Sequence, residues 1–327
     1  SQMGADTTRI TSGGKDKSNH VDYVNLLNLP ADAETRACFV SERGNKWISI
    51  DYSGQETFLM ASIANDKAII EELTNGSGDI HSLTAYMAYP EIPRNTPITS
   101  IKKQFHHLRQ EAKGIEFAIN YGGDANTISA NKGIPIEEAK KIYDNYMKGF
   151  SGLKKYQDFR RKDWFSKGYI LLNARTGHKA YIYDYDKLLE DKKWMSTLDW
   201  TYYREMKKTC PECDTVQRVR HFFKRKSASE KQSINYPIQA TGSMCLRVSL
   251  VNFFEWLRKN DLLFKVLICV TPYDEINCEA PEEIAEEVAN TVYKCMVDAG
   301  AYFCDKCKLD ADISRLPDGT LPTYWIH

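Results

Sequence analysis

The sequence predicts an α+β fold in which a sheet-bearing domain, built from both ends of the chain, is interrupted by a helical domain. Alternating apolar and polar residues in "KWISIDYS" (46–53) predict a strand near one end. The run "FKVLICVTPYDEINCE" (264–279) predicts a two-stranded hairpin near the other. Between them, apolar residues recur every three or four positions, which is typical of amphipathic helices.

Composition is consistent with a soluble globular protein. The chain has 327 residues, of which 42% are hydrophobic and 27% charged, enough for one large domain or two ordinary ones. No apolar run approaches the roughly 18 residues of a membrane helix, and no secretory signal opens the chain. The 44 basic and 44 acidic residues cancel, so only a clustered basic face would attract nucleic acid.

The elements follow in order along the chain. Asp79 is a helix-capping residue, and Gly122-Gly123 ends the longest early helix. A second hairpin is predicted over 169–185, and the charged, aromatic segment 184–232 is interpreted as an insertion with its own local stabiliser. The helical patterns cover 55–73, 79–89, 101–121, 135–150, 152–168, 243–260 and 281–300.

One predicted helix carries a stripe of basic and aromatic side chains. Arg109, Lys113, Phe117 and Tyr121 recur every four residues, so two cations and two aromatic rings share one face. A polyphosphate beside the cations would place an attached base near the rings, as a nucleoside triphosphate requires. A solvated basic edge that runs into an aromatic core would give the same spacing.

Acidic residues end two of the predicted strands. Asp51 closes the first strand, and Asp274 and Glu275 lie at the hairpin tip. If these strands are neighbours, the carboxylates converge and suit Mg²⁺, which prefers oxygen ligands and retains open positions for phosphate. Two such ions about 4 Å apart could serve the attacking and leaving oxygens of a phosphoryl transfer. Each acid alone is equally typical of an ordinary turn.

The chain resembles the family A DNA polymerases, the polymerase I type. "DYSGQETFLMA" (51–61) is similar to their motif A, "RQEAKGIEFAINYGG" (109–123) to motif B, and "YDE" (273–275) to motif C. Shorter landmarks occur in the family's order over nearly the whole chain. They are Arg9 with "ITS", "NLLN" (25–28) before Pro30, "RACF" (36–39), "DIH" (79–81) and "INYPIQATG" (234–242).

The resemblance implies a right-hand polymerase fold. Its palm, an antiparallel sheet, would comprise residues 1–77 and 233–327, with helical fingers (78–183) and the insertion (184–232) placed between them. The family's thumb and 3′–5′ exonuclease domains would precede Arg9, so we expect a core fragment without them. The implied function is template-directed addition of dNTP to a primer 3′ end, with two Mg²⁺ ions.

The resemblance also implies roles for single residues. Asp51, Asp274 and the carbonyl of Tyr52 would hold the metal ions, and Lys113 would protonate the leaving pyrophosphate. Glu275 would contact the primer end or orient a metal ligand. The nucleotide site would comprise Arg109, Lys113, Phe117, Tyr121, Glu56, His81, Tyr52 and Gln55. The DNA-binding residues would be Arg9, Asn25, Asn28, Arg36, Lys231, Asn235, Gln239 and Tyr273.

Several positions depart from the family pattern. Tyr273 replaces the usual His before the motif C aspartate, which predicts a changed primer contact. Gly54-Gln55 replace Gln and an aliphatic residue in motif A, which puts fine sugar selection in doubt. Glu116 and Ala118 replace the Asn and Gly that flank the motif B phenylalanine. Together with the insertion, Tyr273 favours a phage enzyme.

Paired cysteines lie outside the family pattern. "CPEC" and "CDKC" place Cys210, Cys213, Cys304 and Cys307 in two knuckles that could close a structural Zn²⁺ site, or could be unrelated reduced thiols. The run "RVRHFFKRKSASEK" (218–231) mixes basic and aromatic residues, and could follow a nucleic-acid backbone or form a solvated edge.

Three functions compete for this chain. A DNA polymerase core is favoured; a single-subunit RNA polymerase is opposed by Glu56, which would crowd a ribose 2′ position. A non-catalytic nucleic-acid-binding fragment is the third. We expect a monomer in the cytoplasm of a bacterium or phage-infected cell, with primer-template DNA and dNTPs as partners and no membrane contact.

Overall fold

The computed structural model describes residues 7, 14–16, 21–23, 27, 29–30 and 32–326. Its strands are β1 (Gly14–Asp16), β2 (Val21–Tyr23), β3 (Asn45–Tyr52), β4 (Tyr169–Leu171), β5 (Lys179–Tyr181), β6 (Leu267–Val270), β7 (Glu275–Pro281) and β8 (Ala311–Ile313). None of the helices in this described part of the chain has the length and apolar character needed to cross a membrane.

Helices make up most of the described chain. They are α1 (Ala33–Ala37), α2 (Gln55–Ala64), α3 (Lys67–Thr74), α4 (Ile80–Ala88), α5 (Ile98–Gln104), α6 (His106–Asn120), α7 (Ala125–Lys132), α8 (Ile136–Gly149), α9 (Ser151–Lys167), α10 (Tyr185–Met195), α11 (Trp200–Thr209), α12 (Asp214–Lys259) and α13 (Ala285–Phe303). The helix expected over 101–121 is divided by Phe105, whose φ of −126° and ψ of 42° are not helical.

The chain divides into two compact units. The first combines Ser1–Gly78 with Ile238–His327, and the second comprises Asp79–Pro237. The division falls within α12, after Pro237. Palm and fingers remain predicted names for these parts.

The first unit contains a four-stranded antiparallel sheet of order β6-β7-β3-β8. The long pairing of β3 with β7 aligns Asn45 with Pro281 and Asp51 with Glu275. The hairpin of β6 and β7 is confirmed, whereas the short strand β8 adds a pairing that the sequence pattern did not predict. The result is α+β: mostly helices, with a small antiparallel sheet.

The two faces of this sheet differ in chemistry. Ile48, Ile50 and Ile276 are fully buried on one face, where the Tyr52 hydroxyl donates a 2.7 Å hydrogen bond to the Met296 carbonyl of α13. Because side chains alternate along a strand, the opposite face carries a polar set. It comprises Trp47, Ser49, Asp51, Glu275, Asn277 and Glu279.

The second unit has a helical core. Asp79 caps α4 by accepting from the Ser82 N–H, and Asp124 forms a capping box with Thr127 at α7. Helices α4, α6 and α8 pack together around buried residues that include Ile115. The predicted hairpin is confirmed as β4 paired with β5.

The predicted insertion is stabilised by charged contacts. Asp191 on α10 is buried, and Arg218 on α12 donates to it at 2.6 Å while lying 4.3 Å from the Trp194 ring centre. Arg225 donates to the backbone carbonyls of Tyr183 and Asp184. This ion pair ties α10 to α12.

The expected zinc site is not supported. Across the described ranges, no group of three or more His, Cys, Asp or Glu side chains could hold a metal ion. The Cys304 and Cys307 sulfurs are 3.5 Å apart, and each lies 3.4 Å from the Phe58 carbonyl oxygen, as a donor to it. Cys210 is exposed and Cys213 half-buried in the other unit. The buried thiols are therefore satisfied by a backbone acceptor.

Candidate active site

Two of the predicted acids lie next to each other at the end of the sheet. Asp274 lies in the turn between β6 and β7, and the Tyr52 N–H donates to its backbone carbonyl at 3.3 Å. Asp51 pairs across the strands with Glu275, the first residue of β7. Tyr273 adopts a left-handed φ of 50°, which bends the turn sharply. The strands thus bring together the three acids that the sequence placed at their ends.

The electrostatics of this cluster favour a cation. Burial, followed by the negative charges of Asp274 and Glu275, raises the pKa of Asp51 to about 7, against a smaller opposing effect of Arg36. Carboxylates crowded in this way are costly to ionise together. Carboxylate oxygens are the ligands that Mg²⁺ prefers, so these residues have the right chemistry for that ion, although no three such side chains in the described part of the chain are grouped closely enough to hold one.

Glu275 has a partner that the sequence did not reveal. Its Oε1 accepts a 2.8 Å hydrogen bond from the indole Nε1 of Trp325, and both residues are buried. The Arg36 guanidinium lies 4.8 Å from the centre of the Trp325 ring. Fifty residues separate donor from acceptor, and no spacing or motif predicts such a contact.

The rest of the polar face is also hydrogen-bonded. The Trp47 indole donates to Ser49 Oγ at 3.1 Å and to Asn277 Oδ1 at 3.0 Å. Ser49 Oγ also donates to Asn277. The Glu42 N–H donates to Glu279 Oε2 at 2.8 Å. These contacts fix the strand pair that carries the acids.

Helix α2 follows directly from the acidic strand end. Gly54 has a φ of 65°, which permits the abrupt change from strand to helix. Gln55 is buried, and its Nε2 lies 3.4 Å from the Gly242 carbonyl of α12. Glu56 is half-buried in the first turn. Of the two predicted nucleotide contacts here, only Glu56 is partly exposed.

In the second unit, α6 presents the predicted stripe. Lys113 is exposed and Arg109 half-buried. Phe117 is 60% exposed and stacks on Tyr121, with ring centres 5.2 Å apart. A large aromatic ring that remains this exposed is not a core residue, which argues against the aromatic-core alternative.

Two acid–base pairs accompany this stripe. Arg109 donates to both carboxylate oxygens of Asp79, at 2.9 and 3.0 Å. Burial opposes ionisation of Asp79, but its hydrogen bonds with Arg109 and Ser82 outweigh burial and lower its pKa. His81 Nδ1 lies 2.7 Å from Oε2 of the buried Glu116. Glu116, which departs from the family pattern, therefore anchors a predicted phosphate ligand.

The predicted DNA contacts are only partly described. Arg9, Asn25 and Asn28 lie outside the described residues. On α12, Lys231 is exposed, Asn235 is buried and Gln239 is half-buried. Tyr273 is 43% exposed and Arg36 is half-buried.

Comparisons with known proteins converge on one family. A family model described as DNA polymerase family A matches residues 7–315. DNA polymerase I of Chloroflexus aurantiacus is 26% identical over 307 residues, which cover 90% of this chain and 27% of the relative. The DNA polymerase of Mycobacterium phage D29 is 33% identical over 145 residues, covering 44% of this chain and 22% of the relative.

A solved structure has the same fold. The POL domain of Pol1 from M. smegmatis, in complex with DNA primer-template and dNTP, superposes with a TM-score of 0.71 at 22% identity. The likeness covers 96% of this chain and 46% of that chain. The chain spans about a quarter of the length of the curated relatives described above. Since these relatives come from both a bacterium and a phage, phage origin remains a prediction.

Proposed function

Because the chain belongs to DNA polymerase family A, we propose that it carries out template-directed addition of deoxynucleotides to a primer 3′ end. The sheet-bearing unit would serve as palm and the helical unit as fingers, with residues 184–232 as an insertion in the latter. The complex of the M. smegmatis POL domain with primer-template and dNTP supports the proposed partners.

The observation that carries this proposal is the pairing of β3 with β7. It sets Asp51 beside Glu275 and, through the Tyr52 N–H, beside Asp274. A buried cluster of this kind, in which the pKa of one acid is raised to about 7 chiefly by burial, is characteristic of functional sites. Carboxylate oxygens are also the ligands that a divalent cation such as Mg²⁺ prefers.

Two Mg²⁺ ions would be held by the carboxylates of Asp51 and Asp274 and by the backbone carbonyl of Tyr52. When bound, they would supply charge neutralisation and activation of the primer hydroxyl. Glu275 would orient this ligand set or contact the primer end. Because Glu275 is hydrogen-bonded and buried, we favour the orienting role.

The cations of α6 would act on the nucleotide. The primer 3′ hydroxyl would lose its proton to water as its oxygen bonds to the α-phosphorus; the bond to pyrophosphate would break, and Lys113 would give a proton to the leaving oxygen. Arg109 and Lys113 would neutralise the phosphates, and His81 would reach them. Phe117 would pack on the incoming sugar and base, and Tyr121 would border the site of the templating base.

Further residues would select the sugar and hold DNA. Glu56 would crowd a 2′-hydroxyl and so favour deoxyribonucleotides. Lys231 and Arg36 would contact the phosphate backbone, which fixes register without reading sequence. Asn235, Gln239 and Tyr273 would contact primer and template near the growing end.

Primer extension tests the proposal. The chain is incubated at high concentration with a primed DNA template, Mg²⁺ and dNTPs, beside Asp274→Ala and the surface control Asp318→Asn. We expect extension by the parent and by D318N, and at least about a thousandfold loss in D274A, as for removal of a principal charge-stabilising group. Extension that survives in D274A would refute the two-carboxylate mechanism. No extension by the parent would refute the proposed activity of this chain.

A further inference from the structure

A tryptophan beside the acidic cluster is held by a buried hydrogen bond as well as by packing. Trp325 is 2% exposed, and its indole N–H donates to the carboxylate of Glu275, itself 4% exposed. A buried hydrogen bond to a carboxylate is stronger and more directional than one between neutral groups. The contact therefore determines where the Glu275 carboxylate points.

The donor itself is fixed from several sides. The Trp325 backbone N–H donates to the Phe39 carbonyl at 2.9 Å, and the Phe39 ring meets the indole edge-on, with ring centres 5.6 Å apart. The Trp47 ring stacks on the indole, with ring centres 6.3 Å apart and an interplanar angle of 21°. The Arg36 guanidinium also lies against the ring, at 4.8 Å. An indole enclosed in this way holds its N–H in one direction.

Glu275 would otherwise have considerable freedom. Its side chain has three rotatable bonds, and it directly follows the turn that carries Asp274. Its backbone is paired with Asp51, so rotation of the side chain alone would move its charge relative to that acid. Reacting groups must be held to within a fraction of an ångström, and supporting hydrogen bonds provide this constraint.

We propose that Trp325 is a positioning residue, which holds the Glu275 carboxylate in the orientation needed for nucleotide transfer. This inference rests on the proposed function and extends it to the segment 321–325. That segment is itself anchored, because the Trp47 N–H donates to the Pro322 carbonyl at 2.7 Å and the Ser41 N–H to that of Thr323 at 2.9 Å. The acidic site is thus supported by a distant part of the chain.

The same sheet face offers a matched control. Trp47 is also buried, and its indole N–H also donates within the polar face, but its acceptors are the neutral groups of Ser49 and Asn277. Trp47→Phe therefore removes buried indole hydrogen bonds that reach no acid, and it retains an aromatic ring to stack on Trp325. Trp325→Phe removes the indole hydrogen bond to Glu275 and retains an aromatic ring.

The experiment measures kcat and the KM for dNTP of primer extension, together with thermal unfolding of each variant. W325F should lower kcat by about tenfold or more, with KM within about twofold, because a hydrogen bond to a charged group is lost near the reacting atoms. W47F should lose a similar amount of thermal stability but less than about twofold in kcat. Equal kcat values for W325F and W47F would overturn the proposal.

A double-mutant cycle tests whether Trp325 acts through Glu275. In single-turnover assays, W325F should add less than about twofold to the defect of Glu275→Ala, because the group it positions is already absent. The same factor in both backgrounds would show a general structural role and overturn the proposal.

Trp325→His provides a second variant, should W325F fail to fold. It retains a ring N–H but loses much of the packing, so positioning predicts that W325H loses thermal stability relative to the parent with little loss of kcat, and packing alone predicts that both fall together. Extension by the parent but not by D274A, with W325F equal to W47F, would leave the proposed function intact and overturn only this inference. No extension by the parent would overturn both.

Discussion

Gly123 occupies a turn that has no room for a side chain. It joins the end of α6 to the cap of α7, and its N–H donates to the Ala118 carbonyl at 2.9 Å. A Cβ atom at this position would lie 2.6 Å from that carbonyl oxygen and 3.0 Å from the Thr127 methyl group. Since the oxygen belongs to the backbone, the turn itself would have to move.

The size of the effect follows from these contacts. We expect Gly123→Ala to lose about 1–3 kcal/mol to overpacking and about 0.5–1.5 kcal/mol from a weakened hydrogen bond. Gly114→Ala, within α6, is the matched control, because its Cβ would meet only the end of the Lys132 side chain, at 3.7 Å. That change should stabilise α6 by about 0.5–1 kcal/mol through helix propensity.

Thermal unfolding followed by circular dichroism measures the difference. The two alanine variants should differ by about 2–5 kcal/mol, which corresponds to roughly 5–15 °C in Tm for a unit of this size. G123A melting at or above the Tm of G114A would show that the turn does not have the geometry described, and the contact argument would be wrong.

Three further outcomes are expected. The pKa of Asp51 is raised to about 7, chiefly by burial, so below that pH a proton competes with a bound cation for the carboxylate. The affinity for Mn²⁺ in the absence of DNA, measured by electron paramagnetic resonance, should therefore fall about tenfold from about pH 8 to about pH 6. Asp318→Asn should keep this pH dependence of Mn²⁺ affinity, because a hydrogen bond from Thr320 already lowers the pKa of Asp318. An affinity in the parent that does not change with pH would contradict the raised pKa of Asp51. Glu116→Gln weakens the 2.7 Å contact with His81 and should raise the KM for dNTP about two- to tenfold in steady-state extension. An unchanged KM would show that His81 does not contact the phosphates. Treatment with a zinc chelator should leave Tm unchanged in calorimetry, because the described residues contain no zinc cluster. A fall of several degrees in Tm with release of zinc would show that the protein does hold a structural zinc ion.

Local pattern predicted the centre of the site well. Alternation in 46–53 and the hairpin at 264–279 placed the acids at strand ends but left open whether the strands are neighbours; the structure pairs them and aligns Asp51 with Glu275. The four-residue spacing on α6 likewise predicted the shared stripe of Lys113 and Phe117.

Contacts between distant segments were beyond such patterns. Nothing near Trp325 indicates that its indole bonds to an acid fifty residues away, since the contact depends on how the segment 321–325 packs. The break at Phe105 involves neither glycine nor proline, so no residue preference predicted it. The CxxC spacing was compatible with zinc, but the thiols of Cys304 and Cys307 instead donate to the carbonyl of Phe58.

The contrast between the two sheet faces determines which substitutions this sequence can accept during evolution. On the apolar face, Ile48 and Ile50 can exchange for other aliphatic residues of similar volume one at a time, since only shape is at stake. On the polar face, Trp47, Ser49 and Asn277 share donors and acceptors, so a change at one of them removes a hydrogen bond from another. Such positions change together or not at all. A single strand thus combines one freely evolving face with one that evolves only in linked pairs.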